Sequence, residues 1–384
     1  MKNDQPDIPV VIIGGGPIGL FLAISLIKKG IKCLVLEKRK DPVPDSRSLG
    51  IHPVSLELFD KVNITETFLE EGLKIRKGFA LSSDQVLGEI VFDDCPKPHN
   101  YILACPQFTT EKILRNELNK LDQKALITQA EFIDLKQHED HIKIKYNDLQ
   151  GNNKTITTDY LVGCDGKNSL VRQRSSIHYS GKRYDDTYVM GDFEDNTDFG
   201  TDAAVYLLPE GLIESFPLPN GMRRWVVKTN EYIEKPDTQI IVSLVKKRID
   251  HDLKGITSVM ISSFGVQHFI AETFVKNRVI LAGDAAHIVS PVGGQGMNLG
   301  WLDTWKISEA LSGRNIGLGL KKYSDKQRKI TRKVAKRAEL NMMLGRKTRI
   351  PLCRDLIIRT LLKEPLSKKV AQLFTMRGLD KWWI

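Results

Sequence analysis

In three places the sequence sets glycines at the end of a short apolar run, and in two of them an acid stands beside the glycine. Ile8–Ile13 leads into Gly14-Gly15-Gly16-Pro17-Ile18-Gly19. Tyr160–Cys164 leads into Asp165-Gly166, with Arg172 a helical turn beyond Asn168-Ser169. Val279–Ala282 leads into Gly283-Asp284 and then into Pro291-Val292-Gly293-Gly294-Gln295-Gly296. Glycines there let a ligand lie against bare backbone, and a helix starting just after them aims unpaired N–H groups and a partial positive charge at it. Such places suit phosphates, and also a flat ring that becomes anionic on reduction.

The elements around the first stretch give it a role. Gly14, Gly16 and Gly19 fit G-x-G-x-x-G, a helix is expected from Leu20 to Lys29, and a second strand, Ile31–Leu36, ends at Glu37 with Lys38 beside it. Strand, glycines, helix, strand and terminal acid form one βαβ unit. In it the glycines make the tight turn, approach a pyrophosphate and pack helix on strand, and the acid accepts from ribose hydroxyls. An adenine dinucleotide is expected, and this loop alone does not decide between NAD and FAD. Arg47 comes closely enough behind to fold back on the phosphates and pair with them bidentately. Gln107 precedes a helix expected over Thr109–Leu121 and is either a ligand amide or an ordinary loop residue.

Composition sets the outer bounds. Of 384 residues 41% are hydrophobic, enough to build one large or two interleaved domains. No run is apolar for long enough to cross a bilayer, and MKNDQPD carries two acids where a secretory signal has a basic start, so a cytoplasmic protein is expected. Cys33, Cys95, Cys105, Cys164 and Cys353 contain no C-x-x-C pair, which argues for reduced, largely buried thiols and against zinc or disulfides. The net charge of +10 is local, because residues 321–349 hold twelve Lys or Arg against Asp325 and Glu339. Tyr323, Ile330, Val334 and Ala338 recur there at helical spacing. One face should pack on the body, leaving a basic face that is solvated or makes weak contact with a membrane surface. Nucleic acid is not expected as a partner.

The middle of the chain reads as a sheet. Strands are expected at Lys77–Phe92, Tyr101–Ala104, Asp186–Phe193, Ala203–Leu208, Leu212–Pro217, Arg223–Thr229 and Ile256–Val266, with a helix over Thr238–Ile249. Phe216, Pro217 and Trp225 are candidate substrate-lining residues, with plain core as the alternative. Apolar residues at helical spacing across Pro351–Arg377, with Trp382 and Trp383, suggest closing helices that cover the body or build a dimer face, so either a monomer or a homodimer fits.

Three motifs together, GGGPIG at 14–19, CDGKNSLVR at 164–172 and GDAAHIVSPVGGQGMN at 283–298, resemble the single-component FAD-dependent aromatic hydroxylases of the para-hydroxybenzoate hydroxylase fold. The resemblance implies an α/β fold in which a Rossmann-like (GR2-type) FAD-binding domain is interleaved with a β-sheet substrate domain, followed by carboxyl-terminal helices. The expected divisions are 1–180 and 271–320 for FAD binding, 181–270 for the substrate sheet with help from 77–104, and 321–384 for the helices. It implies that Gly14, Gly16, Pro17, Gly19, Glu37 and Lys38 hold the ADP half, and that Arg47 and Gln107 approach the pyrophosphate and ribityl chain. Asp165 would serve FAD and NAD(P)H, and Asp284 would bind ribityl hydroxyls. Pro291 would lie beside the ring, while Gly294, Gly296, Met297 and Asn298 present backbone N–H groups to its edge. His287 lies near the flavin, with a structural hydrogen bond as its expected role.

The implied reaction is NAD(P)H- and O2-dependent hydroxylation of an aromatic, quinone-like or polyketide-like molecule through a flavin hydroperoxide. A reductase or dehydrogenase of the same superfamily, or a membrane- or partner-docked redox flavoprotein, are the rival readings. A halogenase is disfavoured because no W-x-W-x-I-P motif occurs. Two departures stand out. After His52-Pro53 the chain has Val54 and Ser55 where many of these hydroxylases place Arg, and it resembles the short forms that lack a thioredoxin-like terminal domain.

Overall fold

In the computed structural model, which describes residues 6–43, 48–83 and 85–378, the β-branched run Ile8–Ile13 is a central strand. Asn153–Gly163 flanks it in parallel on one side and Cys33–Glu37 on the other. Val279–Leu281 pairs in parallel beyond Asn153–Gly163, and Leu126–Thr128 beyond Cys33–Glu37. Parallel strands covered on both faces must be almost wholly apolar, as Ile8–Ile13, Cys33–Glu37, Val279–Leu281 and the Leu161–Gly163 end of Asn153–Gly163 are. Helices Pro17–Lys28, Gln107–Leu121 and Gln295–Leu311 pack together against the sheet. Trp301, fully buried, ties two of them, since its Nε1 donates to the Pro17 carbonyl at 3.2 Å.

The second sheet runs in the order His287–Ile288, Ser258–Ala271, Tyr179–Glu194, Met222–Thr229, Ile213–Leu218, Ala203–Tyr206, Lys77–Leu81, Val86–Val91. Neighbours are antiparallel except Ala203–Tyr206 with Lys77–Leu81. Ile102–Ala104 does not join it. That strand pairs with Gly50–Ile51 and Leu73–Ile75 in a three-stranded sheet, because Pro96 and Pro98 cannot donate to a ladder and the chain leaves the large sheet after Val91.

One face of the second sheet lies under helix Thr238–Ile249, where Val189, Phe193, Ile213, Trp225 and Ile241 form a core. On the other face Tyr188, Met190, Leu212 and Val226 meet Val292, Met342 and Ile358. The long helix Ile316–Gly345 buries Leu320, Tyr323, Gln327, Thr331, Val334, Ala338 and Met342 along one stripe, with most of its Lys and Arg outside. It is capped by the Asn315 side chain accepting from the Leu318 amide at 3.0 Å.

Helix Pro351–Leu361 turns Arg354, Asp355 and Ile358 inward and leaves Leu352, Leu356 and Ile357 exposed, opposite to a simple apolar-inside reading. Arg354 Nη1 donates to the Leu208 carbonyl at 3.0 Å, and satisfying that buried backbone sets the rotation of the helix. Trp382 and Trp383 lie outside the described residues. No described helix is long and apolar enough to cross a membrane. Of the cysteines, Cys353 is exposed, while Cys33, Cys95 and Cys105 are buried.

Candidate cofactor site

Register brings the motifs together. Ile13 pairs with Gly163 and Leu36, and Gly163 pairs with Leu281, so four parallel strands end side by side. Gly14–Gly19, Glu37, Asp165-Gly166 and Gly283-Asp284 stand at or just past those four ends and therefore share one edge. The carboxyl edge of an open parallel sheet is where a ligand crevice forms.

The glycines are required by close backbone approach. Gly14 has φ 107°, and a Cβ on it would overlap the Cys164 carbonyl; a Cβ on Gly19 would overlap the Gly14 carbonyl oxygen. Gly16, at the amino end of helix Pro17–Lys28, differs: a Cβ there would meet nothing within 4 Å. Here glycine leaves room beside the unpaired first-turn N–H groups rather than packing the fold.

Glu37 sits behind this loop, 4% exposed. Its Oε2 accepts from the Gly15 amide at 2.6 Å, and its Oε1 accepts from the Arg39 amide and Nε, both at 2.9 Å. Burial alone would raise its pKa, but the hydrogen bonds from Arg39 and Gly15 outweigh burial and hold the carboxyl below its usual range. Lys38 is exposed beside it. Arg47 lies outside the described residues. Gln107 is the first residue of its helix, two residues earlier than expected. Its Nε2 donates to Glu111 Oε1 at 3.0 Å, which leaves Glu111 Oε2 buried without a partner.

Asp165 Oδ2 accepts from the Val171 amide at 3.1 Å, while Oδ1 is buried and unpartnered; burial raises this carboxyl. Arg172 fastens the two glycine–acid loops, its Nη1 donating to the Ala285 carbonyl at 2.8 Å and its Nη2 to the Lys167 carbonyl at 2.9 Å. Its guanidinium lies 3.7 Å from the Tyr179 ring centroid, and the Tyr179 hydroxyl donates to the Asp284 carbonyl at 3.0 Å. The Asp284 side chain reaches water yet is crowded by protein elsewhere, and the lost hydration raises its pKa.

His287 is turned away from this edge, 1% exposed, with Nε2 at 2.7 Å from Asp303 Oδ2. The same Asp303 accepts from the Gly283 amide at 3.0 Å and from Gln327 Nε2 at 2.8 Å. Burial opposes the charged imidazole, but the Asp303 charge and hydrogen bond win and raise its pKa. His287 thus braces the Gly283-Asp284 turn.

Pro291 is exposed, and its carbonyl accepts from the Gly294 amide at 2.9 Å. The Gly294 N–H therefore points into the turn and not toward a ligand. Gly293 and Gly294 have φ 86° and 64°, and helix Gln295–Leu311 starts directly after them, two residues before Met297. The free first-turn amides are those of Gln295, Gly296 and Met297, because the fourth helical N–H, that of Asn298, is within reach of the Gly294 carbonyl. The Asn298 side chain is fully buried. Its Oδ1 accepts from the His52 amide at 2.8 Å and the Ser55 hydroxyl at 2.7 Å, and its Nδ2 donates to the carbonyls of Gly50 at 2.9 Å and Gly294 at 2.8 Å. Sequence reasoning missed Ser55, Asp303, Tyr179 and Glu111. Only Glu111 carries a local signal, four residues after Gln107 on one helix face.

Of the substrate-lining candidates, Phe216 alone is on the sheet face opposite helix Thr238–Ile249, where it packs against Ile75, Ala104 and Ala203. Trp225 is 1% exposed in the core under helix Thr238–Ile249, stacked on His251 at 5.2 Å. Pro217 shares that side, since Ser215 pairs with Trp225 and Pro217 with Arg223, and facing residues in an antiparallel pair point the same way. Both therefore lie on the helix side of the sheet, in line with the core alternative.

An open glycine at a helix start, a left-handed glycine pair before another, and an unpartnered buried Asp165 oxygen along one edge fit a long, phosphate-bearing cofactor. A sequence profile for a FAD binding domain matches residues 7–338. The chain belongs to the FAD binding domain family. Within it, the chain is 33% identical over 327 residues to an uncharacterised aromatic compound monooxygenase of Bacillus subtilis, and 30% identical over 315 residues to a rifampicin monooxygenase of Streptomyces venezuelae. These alignments cover 83% and 79% of this chain and 64% of each relative, so the chain spans under two thirds of their length. Among solved structures, an anhydrotetracycline hydroxylase of Streptomyces rimosus superposes with a TM-score of 0.80 at 28% identity, over 96% of this chain and 76% of that one. A p-nitrophenol 4-monooxygenase of Pseudomonas putida shares the fold, with a TM-score of 0.87 at 20% identity, over 96% and 97% of the chains.

Proposed function

We propose that this FAD binding domain protein is a monooxygenase that consumes NAD(P)H and O2 to hydroxylate an aromatic or polyketide-like small molecule. The observation that carries the reading is the apolar sheet face of Tyr188, Met190 and Val226 packed against Val292, an apolar surface beside the glycine loop of the cofactor edge that would suit an aromatic ring. The monooxygenase names of the relatives support the same class. Bound FAD would supply electron transfer from NAD(P)H and activation of O2.

The chain's own residues bind, orient and exclude water. The first-turn N–H groups beside Gly16 and Pro17 take the pyrophosphate, with Gly14 and Gly19 shaping the turn, and Arg47 and Gln107 are assigned to the same stretch. Glu37 takes ribose hydroxyls, and Asp284 and Asp165 take ribityl hydroxyls and the adjoining chain; Lys38 adds a positive charge at the open end. The amides of Gln295, Gly296 and Met297 face the ring's electron-rich edge, where donors gain strength as charge grows and water is kept out. Pro291 and Val292 close that end against water.

The test is substrate-stimulated NAD(P)H oxidation by FAD-loaded protein under labelled O2. One labelled oxygen in the product supports the reading, whereas NAD(P)H oxidation with no labelled product moves it to a reductase. A second reading, a redox flavoprotein held on an anionic membrane surface, is favoured by the exposed Leu340, Met343, Ile350, Leu352 and Leu356 beside Lys347 and Arg349. It predicts salt-sensitive sedimentation with anionic vesicles that Leu352→Glu abolishes.

A further inference from the structure

Strand Ile213–Leu218 alternates its side chains between two environments. Ile213, Ser215 and Pro217 face helix Thr238–Ile249; Glu214 and Phe216 face the other way. Glu214 pairs with Val226 on one side and Val205 on the other, and Val226 pairs in turn with Met190. Val226, Met190, Val205 and Tyr188 belong to the apolar cluster that includes Val292 and Met342. An acid therefore stands in the apolar wall that fronts the Pro291–Gly294 loop.

Glu214 makes no hydrogen bond or ion pair among the described residues, although its neighbours' charges are engaged. From its own sheet, Lys228 bonds Asp186 at 3.0 Å and Arg224 bonds Asp192 at 2.6 Å. From the long helix, Arg346 holds Asp186 at 2.6 Å; from the next helix, Arg354 serves the Leu208 carbonyl and Asp355. The neighbouring Ala80, Val205 and Met342 carry no charge. Tyr188, 1% exposed and stacked on Phe264 at 5.2 Å, has a hydroxyl without a partner on the same face. With no cation opposite it, burial pushes the Glu214 carboxyl up to about 7. Glu214 is half-buried, so its carboxylate stays within reach of a ligand, whereas the Tyr188 hydroxyl is buried and unsatisfied, which is costly unless a ligand completes it.

We infer that Glu214 is the residue that recognises and deprotonates a ring hydroxyl of the substrate, which makes the substrate class phenols, with Tyr188 donating to the same oxygen. This rests on the oxygenase reading above. The ring O–H bond breaks, its electron pair stays on the ring oxygen, and the proton passes to a Glu214 carboxylate oxygen, giving a neutral carboxyl and a phenolate. Tyr188 supplies a hydrogen bond to the developing anion, and Glu214 releases its proton to water once product has left. The resulting ring is electron-rich, as transfer of oxygen to an aromatic carbon needs.

The experiment uses FAD-loaded, oxidised protein without NAD(P)H and p-nitrophenol as probe, whose anion absorbs visible light, read as difference spectra against ligand-free protein across the neutral range. Wild-type affinity should fall as pH rises through about 7, where carboxylate and phenolate would face each other. Glu214→Gln should lose that fall, and Glu214→Asp should keep it. Phenol-stimulated NAD(P)H oxidation should drop about 100-fold or more in Glu214→Gln, in the range for a removed general base. FAD content and thermal melting identify a variant that fails to fold, and Tyr188→Phe, which should weaken binding of the probe anion alone, then stands in for it.

Unchanged affinity and pH dependence in folded Glu214→Gln, with wild type still consuming NAD(P)H in the presence of phenols, overturns the Glu214 role and leaves the oxygenase reading intact. Glu214-dependent probe binding without any oxygen consumption upholds the phenol site and overturns the oxygenase reading. No probe binding and no phenol-stimulated oxidation in wild type overturns both.

Discussion

Replacing Asn298 by Ala removes the side chain that joins the Gly293-Gly294 loop to the Gly50–Ser55 segment. Four partners lose a bond: the His52 amide, the Ser55 hydroxyl and the carbonyls of Gly50 and Gly294. The Gly294 carbonyl keeps its helical donor, so three buried groups are left unpaired. At about 1 kcal/mol or more each, the loss is about 3–4 kcal/mol, reduced to about 2–3 if one water fills the gap and serves two of them. That is a large part of the net stability of an ordinary domain.

Urea unfolding of the cofactor-free protein, followed by tryptophan fluorescence, measures this loss as a lower midpoint at unchanged slope. Because the Gln295–Met297 amides are aimed by the same brace, FAD affinity, read from quenching of free flavin fluorescence, should fall as well. Asn298→Asp keeps the acceptor and loses the donors, and should land between. A midpoint shift worth under 1 kcal/mol, with FAD affinity unchanged, would refute the brace.

The same geometry makes three further outcomes testable. Gly14→Ala should yield insoluble protein, whereas Gly16→Ala should fold with a normal circular dichroism spectrum yet lose FAD, because only its Cβ enters open space; equal behaviour of the two sinks the distinction. The folded pKa of His287 is raised, so the stability it adds is fully present below the ordinary histidine value and is lost as pH rises through the folded value. The denaturation midpoint should therefore decline above neutrality in wild type and be flatter in His287→Gln, and identical slopes count against the Asp303 pair. Trp225→Phe should lower the melting temperature while leaving the KM for an aromatic substrate unchanged, and a shift in KM alone would return Trp225 to the substrate wall.

The strand ends were legible because each is an apolar run that stops at a glycine or an acid, and parallel pairing then allows few arrangements. Helix Thr238–Ile249 was equally plain, since its polar and apolar residues alternate at helical spacing after Asp237, whose side chain accepts from the Ile240 amide at 3.0 Å. Which way Trp225 and Glu214 point was not legible. In a two-residue period a shift of one position exchanges the faces, and both sides of this sheet are covered, so composition marks neither. Asn298 was read for its backbone, yet its side chain meets Ser55, 243 positions away in sequence. Contacts of that separation leave no local pattern. Helix Pro351–Leu361 misled because Arg354 turned inward to serve the Leu208 carbonyl, and that demand outranked apolar burial.

The strand order also sets a timetable for biogenesis. Asn153–Gly163 is made early but is paired on one side by Val279–Leu281, and the amides that complete the cofactor edge belong to Gln295–Met297. While the first 278 residues leave the ribosome, the Leu161–Gly163 end of that strand has an open edge, although Asn153–Thr158 is already paired with Ile142–Asn147, and the groove has only its nucleotide half. An open edge is a template for wrong pairing. Cofactor capture therefore waits for residues 295–297, and a cell short of flavin would hold a chain whose Gln295–Met297 turn lacks the ligand that rewards its docking.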